Sequence, residues 1–144
     1  MRKSTWTIRV LMSISVLVLL SATSAYGQTS MRFNIPFQFL AGDHVMPAGD
    51  YLVRVDFASR MLNVRHENGR SARYLSAIPS KRSFDPVEEG KLVFKSYRNV
   101  YVLARVWTRG VSVSSDLPVS KAERELARTQ RAGSTIQVAY IPAE

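Results

Sequence analysis

The chain has 144 residues, with 20 lysines and arginines set against 11 aspartates and glutamates, a formal charge of +9, and no cysteine. The missing thiols exclude disulfides, thiolate metal sites and a lipid-modified cysteine, so the fold must be held by its core alone. The length leaves room for one ordinary domain after any leader and not for two.

Residues 1–27 carry Arg2, Lys3 and Arg9, an apolar run of 11 residues from position 10 to 20, and a small-residue end at Ala25-Tyr26-Gly27. This is the three-part layout of a secretory signal peptide. The apolar run falls short of the roughly 20 residues that span a bilayer as a helix, so no permanent anchor is expected once the leader is cut. Cleavage after Gly27 leaves a single domain over 28–144 in which 17 basic residues face 11 acidic ones, a net charge of +6. A cysteine-free exported domain points to a bacterial periplasm or exterior. Its positive charge suits anionic envelope polymers or headgroups, and export removes nucleic acid as a partner.

Along the chain, Phe33, Ile35, Phe37 and Phe39 alternate with Asn34, Pro36 and Gln38, the period of two of a half-buried strand. Pro36 puts that strand at an edge. Gly42 is expected to end the strand at positive φ, and Met46-Pro47-Ala48-Gly49 fits a type I turn. Tyr51, Val53, Val55 and Phe57 then share one face of a second strand, with Arg54 and Asp56 on the other. A third strand over 61–66 meets Asn68-Gly69, a pair that favours positive φ in a hairpin turn, and returns over 71–78. Residues 79–90, with two prolines and both charge signs, read as the longest irregular loop and a first place to look for binding.

Two further strands, 91–97 and 100–108, join at Arg98-Asn99, and the second is apolar on both faces, as a central strand is. Ser120-Lys121-Ala122-Glu123 matches a capping box that opens a short helix over 121–130, stopped by Gly133. A last alternating run over 135–141 can close the sheet. The predicted fold is mainly β, a single antiparallel sandwich or small barrel-like domain with one short helix near its C-terminal end.

Chemistry-bearing residues are few. His44 and His66 read as an exposed turn residue and a strand-end residue, since neither has a marked nucleophile or a metal-ligand spacing nearby. Glu88-Glu89 read as solvated loop carboxylates rather than an acid and base pair, and Glu123 is committed to its cap. The expectation is a protein that is not an enzyme and needs no cofactor or metal. The basic residues instead gather in the middle third. Arg54, Arg65, Arg73, Lys81 and Arg82, with Tyr74 for stacking, form the candidate surface for an envelope protein or an anionic envelope polymer. The alternatives are a small barrel that carries an apolar ligand against Phe37, Phe39, Tyr101 and Trp107 and, behind it, a hydrolase built on a histidine.

Pro36-Phe37-Gln38-Phe39 with Pro47-Ala48-Gly49-Asp50-Tyr51, then Leu92-Val93-Phe94 with the run from Tyr101 to Trp107, then SKAERELA from Ser120 to Ala127, form one set. Together they resemble a family of small, signal-peptide-bearing bacterial proteins of unknown function, over about residues 33–127. Arg98-Asn99 departs from the glycine-containing turn that the resemblance implies. The resemblance implies a compartment and a domain extent, and it transfers no functional residue.

Overall fold

The computed structural model describes residues 29–129 and 135–139. The leader over 1–27 and the predicted stop at Gly133 lie outside the described residues. Among the described residues, eleven strands and one helix follow in chain order: β1 (Thr29–Ile35), β2 (Phe39–Ala41), β3 (His44–Met46), β4 (Gly49–Asp56), β5 (Met61–His66), β6 (Ala72–Ser76), β7 (Ile78–Arg82), β8 (Lys91–Tyr97), β9 (Val100–Trp107), β10 (Val113–Asp116), α1 (Lys121–Thr129) and β11 (Thr135–Ala139).

They form two sheets. One has four strands in the order β1-β4-β5-β6; the other has seven, ordered β11-β8-β9-β10-β7, with β2 beside the first half of β9 and β3 paired to β2. All pairings are antiparallel except β2 with β9. The sheets are not closed into a barrel. Their inner faces share one core, to which Phe33, Tyr51, Val53, Val55, Leu62 and Val64 come from the four-stranded sheet and Phe39, Leu92, Phe94, Leu103 and Val106 from the other. Apolar alternation drives this directly, because residues two apart on a strand share a face. The central place expected for the strand now seen as β9 is observed, with β8 on one side and β2 and β10 on the other.

Several expectations are corrected. The strand predicted over 33–39 breaks at Pro36: β1 stops at Ile35, and Phe39 starts a new strand in the opposite sheet. A proline nitrogen cannot donate to a ladder, and here the chain uses that gap to change sheets. Phe37, in the connection, packs on Tyr101 with ring centroids 4.3 Å apart. Phe57 lies beyond β4 and is exposed, because the chain has already turned. No hydrogen-bonded turn closes over 46–49; the tight turn is Gly42-Asp43 between β2 and β3, with Gly42 at φ +63° in the first loop position, where glycine is demanded. Asn68-Gly69 does close a hairpin, but only Gly69 has positive φ (+72°), so a four-residue loop from Glu67 to Arg70 replaces the two-residue turn. The predicted loop over 79–90 holds a strand, β7, in its first part. The two-residue turn at Arg98-Asn99 is observed, with Arg98 itself at φ +53°.

Candidate functional site

The outward face of the four-stranded sheet follows from its register. Arg54 stands between Ser30 and Asn63, and Asn63 stands beside Tyr74, so one row across the sheet reads Ser30, Arg54, Asn63, Tyr74. The next row reads Arg32, Leu52, Arg65, Ala72. The partners of these residues along each strand, Val53, Val55, Leu62 and Val64, are buried, which forces the polar set outward. The β4, β5 and β6 members of the two rows line a shallow groove of about 360 Å³ with Arg54, Asn63, Arg65 and Tyr74 along it and Asp56 at one end. Tyr74 is 73% exposed and offers an uncovered ring for stacking.

Polar side-chain bonds surround the groove on the same face. Arg32 pairs with Glu67 at 2.8 Å, and Asn34 donates to Asp50 at 2.8 Å, which ties β1 to β4 and to the β5–β6 turn on the same face. Asp56 accepts the N–H groups of Ala58 (3.0 Å) and Ser59 (3.2 Å). The Ser59 hydroxyl above all, and then these N–H groups, favour its charged form and hold its pKa below the usual carboxylate value.

Of the six candidate surface residues, the structure brings three together: Arg54, Arg65 and Tyr74. Arg73 is opposite Val64 and so has the inward parity, and its guanidinium folds back to donate to the Ala72 carbonyl at 3.0 Å. Lys81 and Arg82 are on β7, at the end of the other sheet. All three are exposed and lie outside the groove. Arg32, Asn63, Leu52 and Asp56 were not singled out from the sequence, although strand parity from Arg54 and Arg65 leads to each of them.

Both histidines have structural surroundings. The His66 ring packs edge-on against Tyr51 at 4.8 Å, its Nδ1 accepts the Asn68 N–H at 3.2 Å, and Gly49 lies directly under it. His44 is exposed on β3. Its neighbour Asp43 accepts the Ala122 N–H at 2.8 Å, so the β2–β3 turn caps α1 from outside the helix. That bond is the largest influence that lowers the Asp43 pKa. Among the described residues no group of three histidines and carboxylates is placed to hold a metal ion.

Ser120 caps α1 as expected, its Oγ accepting the Glu123 N–H at 3.1 Å. The reciprocal half of the capping box is absent. The Glu123 carboxylate, 3% exposed, points instead to the sheet and accepts from Lys95 Nζ (2.8 Å) and the Tyr97 hydroxyl (2.9 Å). A second hollow, about 780 Å³ and mostly apolar, lies between α1, the β2–β3 hairpin and the β8–β9 turn, with Leu40, Val45, Val100 and Leu126 in its walls.

Compared with protein-family models, curated proteins and solved structures, the chain gives no match.

Proposed function

We propose that this chain is an exported, non-enzymatic binding domain of the bacterial cell envelope, and that it holds an extended anionic polymer on the outer face of its four-stranded sheet. The polymer is an envelope polysaccharide or an acidic segment of an envelope protein. The observation that carries the reading is the convergence of Arg54, Arg65 and Tyr74 in one groove on a hydrogen-bonded sheet. Two guanidiniums present fork-shaped donors that suit carboxylate and phosphate, and an exposed tyrosine face suits a sugar ring or a side chain. The three-part leader over 1–27 and the basic excess of the remaining chain support the compartment and the sign of the partner. The test is retention on immobilised acidic polysaccharide and on envelope extract at low salt. Retention that Arg54→Ala with Arg65→Ala abolishes supports the reading, and no retention on either material overturns it.

A second reading is carriage of an apolar ligand. It is favoured by the hollow beside α1, which is of a size that suits a small molecule. It places the ligand outside the sandwich, since Phe37 and Phe39 are occupied with Phe94, Tyr51 and Tyr101 in edge-on and tilted ring contacts. A solvatochromic apolar dye that brightens with the protein and not with Leu126→Arg would support it; equal signals from both would sink it.

A further inference from the structure

We propose that the open side of β6 receives an extended acidic peptide as a fifth strand of the four-stranded sheet. This rests on the reading of the outer face as the anion-binding surface, and it names the ligand as polypeptide.

The ladder between β5 and β6 determines which backbone groups are open. The His66 N–H donates to the Ser71 carbonyl at 2.7 Å and the Ala77 N–H to the Arg60 carbonyl at 2.9 Å. In the register that joins Arg65 to Ala72 and Met61 to Ser76, these bonds turn Ser71, Arg73, Leu75 and Ala77 toward β5. Antiparallel alternation then turns the N–H and C=O of Ala72, Tyr74 and Ser76 away from it. No strand pairs with β6 on that side among the described residues. The Arg73 guanidinium covers the Ala72 carbonyl there, and a flexible side chain is readily displaced.

The ends β1, β11 and β7 differ from β6, and β3, paired only to β2, is just three residues long. β1 and β11 lie against each other. On β10, the Leu117 N–H donates to Ala104, so Asp116 faces β7 and exchanges bonds with Ile78. Pro79, the next residue, therefore turns its nitrogen to the open side of β7, where it has no proton to offer, and the register shifts between Pro79 and Arg82. Proline and bulges are among the devices that close an edge to pairing, because they remove or misalign the backbone donors themselves. β6, Ala72 to Ser76, has neither.

Charge selects the incoming strand. Ala72 is small, so Arg65 beside it is open from the edge. A residue added opposite Ala72 lies two strand spacings, about 10 Å, from the Arg65 backbone, a gap that an arginine and a glutamate side chain close between them. Tyr74 provides the central ring on the same face, and Arg73 a charge at the edge itself. A glycan would use the charges and the ring, but it has no ladder of amides at the two-residue pitch that Ala72, Tyr74 and Ser76 display. Strand addition uses all of them, with main-chain bonds for affinity and side chains for choice.

The experiment uses the protein with four probes: an eight-residue peptide of alternating Glu and Thr, the same peptide N-methylated on the amides that face β6, a Lys-Thr counterpart, and an oligomer of uronic acid. Affinity is measured by calorimetry, and amide exchange of Ala72, Tyr74 and Ser76 by NMR. The expected result is binding of the Glu-Thr peptide alone at high affinity, with at least tenfold weaker binding after N-methylation and slowed exchange at the three amides. Ser76→Pro, which removes a donor from the open side without touching the ladder to β5, is expected to weaken the peptide several-fold with an unchanged melting curve. If the N-methylated peptide and the uronic acid oligomer bind as tightly as the parent, strand addition is overturned while the anionic face stands. If no anionic probe binds, both fail. If the free protein dimerises with the same three amides protected, the occupant is a second copy and the peptide assignment is overturned.

Discussion

Gly49 has φ +151°, and a Cβ there would stand 2.4 Å from Nε2 of His66. The motif Pro47-Ala48-Gly49-Asp50-Tyr51 thus has a physical reason at each end: glycine lets the chain pass under the imidazole, and the fully buried Tyr51 donates its hydroxyl to the Pro47 carbonyl at 2.6 Å. Burial pushes the Tyr51 pKa up to about 12, so the phenol keeps its proton at any physiological pH. Gly49→Ala is predicted to cost on the order of 2 kcal/mol, by forced strain and displacement of the histidine ring, read as a lower urea midpoint at unchanged slope. Asp43 makes a second prediction. Its pKa is lowered from 3.8 in the folded protein, chiefly by the Ala122 N–H, as that of Asp116 is by Arg105. A carboxyl with a depressed folded pKa adds stability that is complete above the unfolded value and is lost as pH falls through the folded one. Stability should therefore be level above about pH 5 and fall below about pH 4. Asp43→Asn keeps an acceptor for the cap but cannot titrate, so its urea midpoint should fall less steeply in acid; an identical acid limb would refute that role for Asp43.

At the scale of elements, α1 is held by polar rather than apolar contact. Its only buried residue is Glu123, which reaches two partners on β8. Glu123→Gln keeps the shape but removes the charge from both bonds, and a loss of about 1–3 kcal/mol is expected, measured by denaturation, with Ala costing more. The Ser120 half of the capping box was legible; the use of the Glu123 carboxylate across the sheet, in place of the expected reciprocal bond, was not, because nothing local tells which of its possible donors it meets. Alternation from Tyr51 to Val55 was equally legible, since one side of β4 is core and the other solvent. β7 was not, as all five of its residues are exposed and carry no alternation. β10 was missed for the opposite reason: its buried residues are Ser114 and Ser115, polar side chains that do not read as core.

For the whole molecule, much of the candidate face was already in the residue order. Arg54 and Arg65 share the polar parity of their strands, and Asn68-Gly69 at the hairpin centre places Tyr74 beside Asn63. The same centre sets Arg73 opposite Val64, so parity alone removes it from the face. Lys81 and Arg82 were out of reach of such reasoning, because the chain crosses to the other sheet at Ala77 and only the three-dimensional path shows that. The groove sets Arg54 and Arg65 against Asp56 alone and is open to solvent, so its attraction for a polyanion is exposed to screening: the Debye length falls from about 10 Å at 0.1 M salt to about 3 Å at 1 M. Retention on an acidic polymer should weaken steadily with salt. Arg54→Ala and Arg65→Ala should each lower affinity by about 0.5–1 kcal/mol, roughly two- to fivefold, as expected for partly solvated charge pairs. Lys81→Ala with Arg82→Ala, an equal change in net charge on the other sheet, should alter it far less. Titration of both double variants at two salt concentrations separates a local site from a general effect of charge. Equal losses would mean that net charge alone drives the binding, and the groove would have no special part in it.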